Sequence, residues 1–377
     1  MQKYLHLLGC LLLFTAAKAQ HPVAVTVDGP YVRYERDRIL VTTIQKDDDQ
    51  LIPKTAKFAI AKKGNISLHI SPEDHPDWAF DVKLKPAIEN GTVVYPGPER
   101  TLFISDIEGE FTPLRKMLLA AKVIDEHYNW TYGHGSLAIA GDLFDRGKDV
   151  VPELWLLYKL EDEAKEAGGS VHVLLGNHDI MNLTGDNRYT DGKYFKNAWL
   201  LGTDCAGLFG RDTELGRWLR SKNMIEKTGK VLVMHGGLSP KIVAKQQTLE
   251  AINRECRPYF DAAIDSVPDS LKTFFGSNAL FWYRGYFKQP KITEAQLDSS
   301  LNFYKAMYIV VGHTIIKWNI ASYLGGKVIG IDVDEHKGHP AAALYEEGKW
   351  FTIDADGQRI GLVYRPENDQ IKKEDIL

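Results

Sequence analysis

The 377-residue chain is 44% hydrophobic and 25% charged. That composition excludes fibrous and disordered classes and allows one large core with a smaller unit beside it. A formal net charge of −4 provides no basic field for holding nucleic acid by its phosphates, so a small phosphorylated or a protein substrate suits the chain better as a partner.

Residues 1–19 begin with the basic Lys3, continue through an apolar stretch from Leu5 to Ala17 and end in Ala17-Lys18-Ala19. This pattern predicts a secretory signal cut before Gln20, hence a periplasmic or secreted protein. Leu7-Leu8-Gly9-Cys10 offers lipid anchoring as an alternative, but the apolar run continues past Cys10 where a lipid box would end it. No later stretch is long and apolar enough to span a membrane. With Cys10 in the signal, Cys205 and Cys256 remain, either bridged to each other or buried as free thiols.

Residues 21–98 hold short strand-like runs, Val23–Val27, Ile39–Thr43, Ala56–Ile60 and Thr92–Tyr95, separated by Asp, Gly and Pro turns. They predict a small β-rich N-terminal unit, closed by Tyr95-Pro96-Gly97-Pro98. From 99 to 365 the texture changes. Thr101–Ser105 reads as a strand and Thr112-Pro113 as a helix start, with a cap residue followed by proline. Ser136–Ala140 is a strand, Val151–Ala167 a helix ended by Gly168-Gly169, and Val171–Leu175, Lys230–Met234 and Met307–Val311 are further strands. Apolar strands alternating with helices predict an α/β domain with a sheet covered on both faces by helices. Val328–Val333, Ala341–Tyr345 and Trp350–Ile353, with turns at Glu347-Gly348 and Asp356-Gly357, read as hairpin-connected strands, and 366–377 as a tail.

Each apolar strand of the larger domain ends in residue types that ligate metals, beside a glycine. The segments are Asp106-Ile107-Glu108-Gly109, Gly141-Asp142-Leu143-Phe144-Asp145-Arg146-Gly147, Gly176-Asn177-His178-Asp179, His235-Gly236-Gly237 and Gly312-His313-Thr314. Ligands of open α/β sheets gather outside the carboxyl ends of the strands, so these loops are expected to converge. The types suit two divalent ions about 3.5–4 Å apart, acting on a phosphoryl group. Asp142 would bridge them, Asp106 and Glu108 would complete one shell, and Asn177, His235 and His313 the other. Mixed oxygen and nitrogen ligands suit Mn, Fe or Zn better than Mg or Ca. A water between such ions would ionise near neutral pH and attack phosphorus directly. Asn177 would also touch the phosphate, His178 would protonate the leaving oxygen with Asp145 fixing its tautomer, and Arg146 would fork onto the phosphoryl oxygens. Any one of these residues alone is commonplace; five such loops in series are not.

These motifs, together with Ile180-Met181-Asn182-Leu183-Thr184-Gly185-Asp186-Asn187-Arg188-Tyr189, Trp218-Leu219 and Leu280-Phe281-Trp282-Tyr283-Arg284-Gly285, resemble the calcineurin-like metallophosphoesterases. Within them the match is to the phosphoprotein phosphatase branch and its Shewanella-like protein phosphatases. The resemblance covers about residues 100–355. It implies a double β-sandwich of mixed sheets flanked by helices, a two-metal centre, hydrolysis of phosphoserine, phosphothreonine or phosphotyrosine without a covalent intermediate, and Arg284 as a second phosphate clamp. Two residues depart from the family pattern: Glu108 stands where His is usual, and Asp179 where Glu is usual. A harder, anionic ligand at 108 either favours harder ions such as Mn or weakens one of the two metal sites.

Two other functions remain open on sequence. A dinucleoside polyphosphate or nucleotide hydrolase would need further cations near the phosphate, which Arg188 and Lys193 could supply. A non-catalytic exported metal-binding protein would lack an acid or a bridging ligand, whereas His178, Asp145 and Asp142 are all present.

Overall fold

The computed structural model describes residues 25–315, 320–333 and 340–365. The predicted signal segment, the 366–377 tail and residues 334–339 at the end of the predicted Val328–Val333 strand lie outside the described residues. β1 (Val25–Glu35), β2 (Arg38–Asp47) and β3 (Gln50–Ala59) form an antiparallel sheet, and β4 (Ser67–Ile70) pairs with β5 (Phe80–Lys83). The N-terminal unit is therefore β-rich.

The chain continues through β6 (Val94–Tyr95), β7 (Arg100–Ile104), α1 (Phe111–Ala120), β8 (Ser136–Ile139), α2 (Val150–Glu166), β9 (Ser170–Val173), α3 (Asn177–Thr184) and α4 (Gly192–Leu200). The strands that follow are β10 (Ile225–Thr228), β11 (Val231–Met234), β12 (Tyr308–Val311), β13 (Ala321–Tyr323), β14 (Val328–Gly330), β15 (Ala341–Glu346), β16 (Lys349–Asp354), β17 (Arg359–Gly361) and β18 (Val363–Tyr364). They make two mixed sheets. One is ordered β18-β13-β14-β12-β11-β10-β6 and the other β17-β16-β15-β7-β8-β9. Between the sheets sit Phe103, Ala138, Ala140, Val233, Val310, Ile329 and Ala343. The alanines let the layers approach closely where strands carry their ligand-bearing ends.

Several local readings are corrected. Thr92–Tyr95 yields only β6, which pairs with β10 and so adds an edge to the larger sheet rather than to the N-terminal one. α1 starts two residues earlier than Thr112-Pro113 implies, with Glu110 at the cap. Pro113 is tolerated because the first-turn N–H groups have no partner within the helix. β14 stops at Gly330, so Asp332 leaves the sheet. The Glu347-Gly348 turn has φ of 49° and 78° at its two residues, the left-handed pair that a two-residue hairpin needs.

α2 is apolar almost all round, VVPELWLLYKL, and a helix of that kind has to be covered on every side. β9 covers one face, while β1 and β5 of the N-terminal unit cover the other. Trp155 and Tyr158 are fully buried there, and Trp155 Nε1 donates to Pro30 O at 3.0 Å. At about 200 Å² each and roughly 25 cal/mol per Å², those two side chains alone contribute on the order of 10 kcal/mol of burial. Both cysteines are buried as free thiols. No helix of the described residues is long and apolar enough to cross a membrane.

Candidate active site

The five loops converge. Asp106, Glu108, Asp142, Arg146, His178, Arg284 and His313 line one cavity of about 110 Å³, with Ile315, Asp332 and Val333 completing the wall. Such a volume suits a phosphoryl group or a few waters at roughly 30 Å³ each. Six of the residues that carry the chemistry, Asp106, Glu108, Asp142, Asp145, Arg146 and His313, have φ between 50° and 80°. Non-glycine residues adopt that conformation at a cost of about 1–3 kcal/mol each, and they keep it only where their surroundings impose it.

Those surroundings are visible. Asp142 Oδ1 accepts from His178 N at 2.8 Å and its Oδ2 lies 3.0 Å from His235 Nε2. Asp179 ties the second loop to the third: its carboxylate accepts from Gly176 N at 2.6 Å, Asp142 N at 3.0 Å and Leu143 N at 2.8 Å. A Cβ at Gly176 would overlap Asp142 Oδ1, and one at Gly312 would overlap Ser105 Oγ and Asp106 Oδ2, so glycine is required at both. Asp106 also accepts from His313 N at 3.1 Å.

The donor set fits a metal centre. His235 Nδ1 donates to Ala140 O at 2.8 Å, which turns the Nε2 lone pair inward, the arrangement usual for ligating histidines. Asn177 Oδ1 lies 2.9 Å from His235 Nε2, and the same amide end is 2.7 Å from His313 Nδ1. An amide oxygen facing two ring nitrogens is satisfied by turning the amide or by a cation among the three lone pairs. His313 Nε2 is buried with no hydrogen-bond partner among the described residues. Asp142, His235 and His313 offer ligand atoms all within 4.8 Å of one another, and so do Glu108, Asp142 and His178, with Asp142 common to both groups. Asp106 belongs to neither group, yet it lines the same cavity and interacts electrostatically with His235 and Asp142.

The electrostatics agree. Burial alone would raise Asp142, but His235, His178 and His313 hold its carboxyl well below the usual range. Burial works against a charge on His235, yet Asp142 and Asp106 lift it to about 9, so the site favours positive charge between those carboxylates. For His178, burial is likewise outweighed by its hydrogen bond to Asp145 and by Asp142 and Glu108, and it too rises to about 9. Its Nδ1 is 2.6 Å from Asp145 Oδ2, and Asp145 Oδ1 is held by Asn182 Nδ2 at 2.7 Å and Thr190 Oγ1 at 2.8 Å. That leaves Nε2 facing the cavity, 3.8 Å from Glu108 Oε1 and 3.9 Å from Asp142 Oδ2.

Arg146 pairs with Glu108 at 2.6 Å and is 42% exposed at the rim. Arg284 lies 3.4 Å from both Thr314 Oγ1 and His313 Nδ1. Arg188 is not brought into the cavity: its guanidinium is forked onto Asp186 at 2.8 Å and is 64% exposed. Lys193 is likewise turned away, toward Asp28 at 3.3 Å and Glu73 at 3.5 Å. Sequence reading missed Asp332, whose carboxyl is pushed well above its ordinary range by burial and by Asp106, Glu108 and Asp142, with Arg284 opposing. Its signal was an acid inside the apparent strand Val328–Val333. Asn182 and Thr190, which hold Asp145, carry no signal short of the fold.

Comparison with known proteins gives a consistent picture. Residues 99–317 match the family model of the calcineurin-like phosphoesterases. The cold-active protein-tyrosine phosphatase of a psychrophile, Shewanella sp., superposes with a TM-score of 0.79 at 34% identity, over 89% of this chain and 99% of that one. Shewanella-like protein phosphatase 2 of Arabidopsis thaliana is 28% identical over 288 residues, 64% of this chain and 72% of its own length. An uncharacterised protein of Schizosaccharomyces pombe is 30% identical over 266 residues, 68% of this chain and 76% of its own.

Proposed function

Because the chain belongs to the calcineurin-like phosphoesterases and is a metal-dependent phosphoester hydrolase, we propose that it is an exported phosphatase that hydrolyses phosphomonoesters of phosphoprotein type, on serine, threonine or tyrosine. The observation that carries this reading is the meeting of Asp142, His235 and His313 within ligand distance of one another, with the Asn177 amide against both histidines, beside a histidine-aspartate pair and two arginines.

Asp142 would be shared by two ions, with Asp106 and Glu108 on one side and Asn177, His235 and His313 on the other. Two divalent ions, Mn in the first place, would ionise a water near neutral pH and offset charge on the phosphoryl oxygens. Arg146 and Arg284 would orient the phosphoryl group from the rim, since a guanidinium matches two of its oxygens at once. His178 would hold a proton on Nε2 and deliver it to the leaving oxygen, while Asp145 keeps the other ring nitrogen protonated and the ring in place. Export rests on the signal-like segment ending at Ala19.

Chelated protein should lose hydrolysis of p-nitrophenyl phosphate and recover it with Mn. Full activity without metal, or recovery with Zn and none with Mn, would overturn the metal assignment. With one Mn-loaded preparation, phosphotyrosine and phosphoserine peptides should be turned over faster than a dinucleoside tetraphosphate; the reverse order would replace the monoester reading. Protein recovered from its host should begin at Gln20, and an intact Met1 would remove export.

A further inference from the structure

Asp145 and Arg146 are consecutive non-glycine residues in the left-handed region, at φ 80° and 54°. A pair like that returns to ordinary backbone unless something outside the loop holds it. Three backbone bonds do part of this: Arg146 N to Tyr189 O at 3.1 Å, Gly147 N to Glu108 O at 2.8 Å and Asp149 N to Gly109 O at 3.0 Å. Asp145 is also held through its carboxylate by His178, Asn182 and Thr190, and Arg146 by Glu108; a further anchor, on the far side of Arg146, is the carbonyl of Lys148, which accepts from Lys193 Nζ at 3.0 Å and from Tyr194 OH at 2.8 Å.

Lys193 does not sit there unaided. Its side chain is only 12% exposed, and its ammonium lies 3.3 Å from the fully buried Asp28 Oδ1 on β1. The other oxygen of Asp28 accepts from Tyr31 on β1 and from Asn197, one turn after Lys193 on α4. An ammonium that is largely out of water needs a fixed anion, and the N-terminal unit provides it. A continuous series of contacts therefore runs from a carboxylate of the N-terminal unit, through α4, to the carbonyl two residues beyond Arg146.

We propose that Asp28 and Lys193 are positioning residues for Arg146, so that the N-terminal unit sets the phosphate affinity of a cavity that it does not itself line. This rests on the reading of Arg146 as a phosphate clamp. Lys193→Met in the Mn-loaded full chain should raise KM for p-nitrophenyl phosphate, and the inhibition constant of inorganic phosphate, about tenfold with kcat within about twofold and bound Mn unchanged. The neutral pair Asp28→Asn/Lys193→Met removes the stranded buried charge; it should recover the thermal midpoint while KM stays high. In an Arg146→Ala background, Lys193→Met should add less than about twofold to KM, since the group being positioned is gone.

Unchanged KM in Lys193→Met, recovery of KM together with stability in the neutral pair, or an equal loss with and without Arg146 would each overturn the inference. If Arg146→Ala by itself leaves KM unaltered, the clamp assignment fails first, and that result is separable from the others.

Discussion

At the scale of single residues, Asp179 is the least obvious member of the site. It stands where the family pattern has Glu, touches no substrate cavity, and accepts three backbone N–H groups from the loops that carry Asp142 and Asn177. Asp179→Ala would leave those donors buried without partners, at about 1–3 kcal/mol each. Denaturant unfolding should register a loss of several kcal/mol, and a loss within about 0.5 kcal/mol would mean that water replaces the carboxylate. His178→Ala should behave differently, with metal content retained and turnover reduced. The loss should be far greater on phosphoserine peptide, whose leaving alkoxide needs a proton, than on p-nitrophenyl phosphate, whose leaving group does not. Equal losses on both would take the acid role from His178. The ligand types themselves were legible because Asp, Asn and His at the ends of apolar strands gain nothing from burial unless they serve a site. Arg188 stays outside the cavity for the opposite reason: its neighbour Asp186, two residues away, satisfies it locally.

At the scale of elements, the start of α2 stores a liability. Asp149 occupies its N-cap without making a side-chain cap bond, and one of its carboxyl oxygens is buried with no hydrogen-bond partner among the described residues. Burial raises it to about 6, Lys193 works against the shift, and Asp28, Asp74 and Glu73 add to it. The folded protein thus binds this proton more tightly than the unfolded chain does. The stabilisation is complete below the ordinary carboxylate value and declines as pH rises through about 6. Asp149→Asn should therefore raise the thermal midpoint at pH 8 and leave it nearly unchanged at pH 4; a gain that does not depend on pH would refute the electrostatic cause. The glycines that end strands make a second prediction. A methyl at Gly312 would push Asp106 and Ser105 apart, so Gly312→Ala should reduce bound Mn while far-ultraviolet circular dichroism stays unchanged. Full Mn occupancy would show that the loop yields without moving Asp106.

At the scale of the whole molecule, the N-terminal unit and the larger domain share one core. Val32, Ile70 and Phe80 belong to the same buried cluster as Leu154 and Trp155. The join also carries charge: Glu214, with its side chain fully buried, is met by Lys63 of the N-terminal unit at 3.1 Å, by Tyr158 OH at 2.7 Å and by Tyr34 OH. Removing one partner of a buried pair is costly, so Lys63→Met should destabilise by about 3–5 kcal/mol. Calorimetry of that variant should still give a single transition, because neither part keeps its core without the other. Two separated transitions would mean that the units fold independently.

The amino-acid sequence by itself determined the strand-helix alternation, the β-rich start, the five ligand-bearing loops and the family resemblance they carry. All of these depend on local periodicity and on polar residues placed where local structure has no use for them. Only the tertiary structure decided the rest. It made Cys205 and Cys256 separate thiols, moved β6 into the larger sheet, turned Arg188 and Lys193 from the cavity and brought Asp332 into it. Each of these depends on which distant side chain comes within a few ångströms of another, and that is set by how layers pack, which no window along one chain contains.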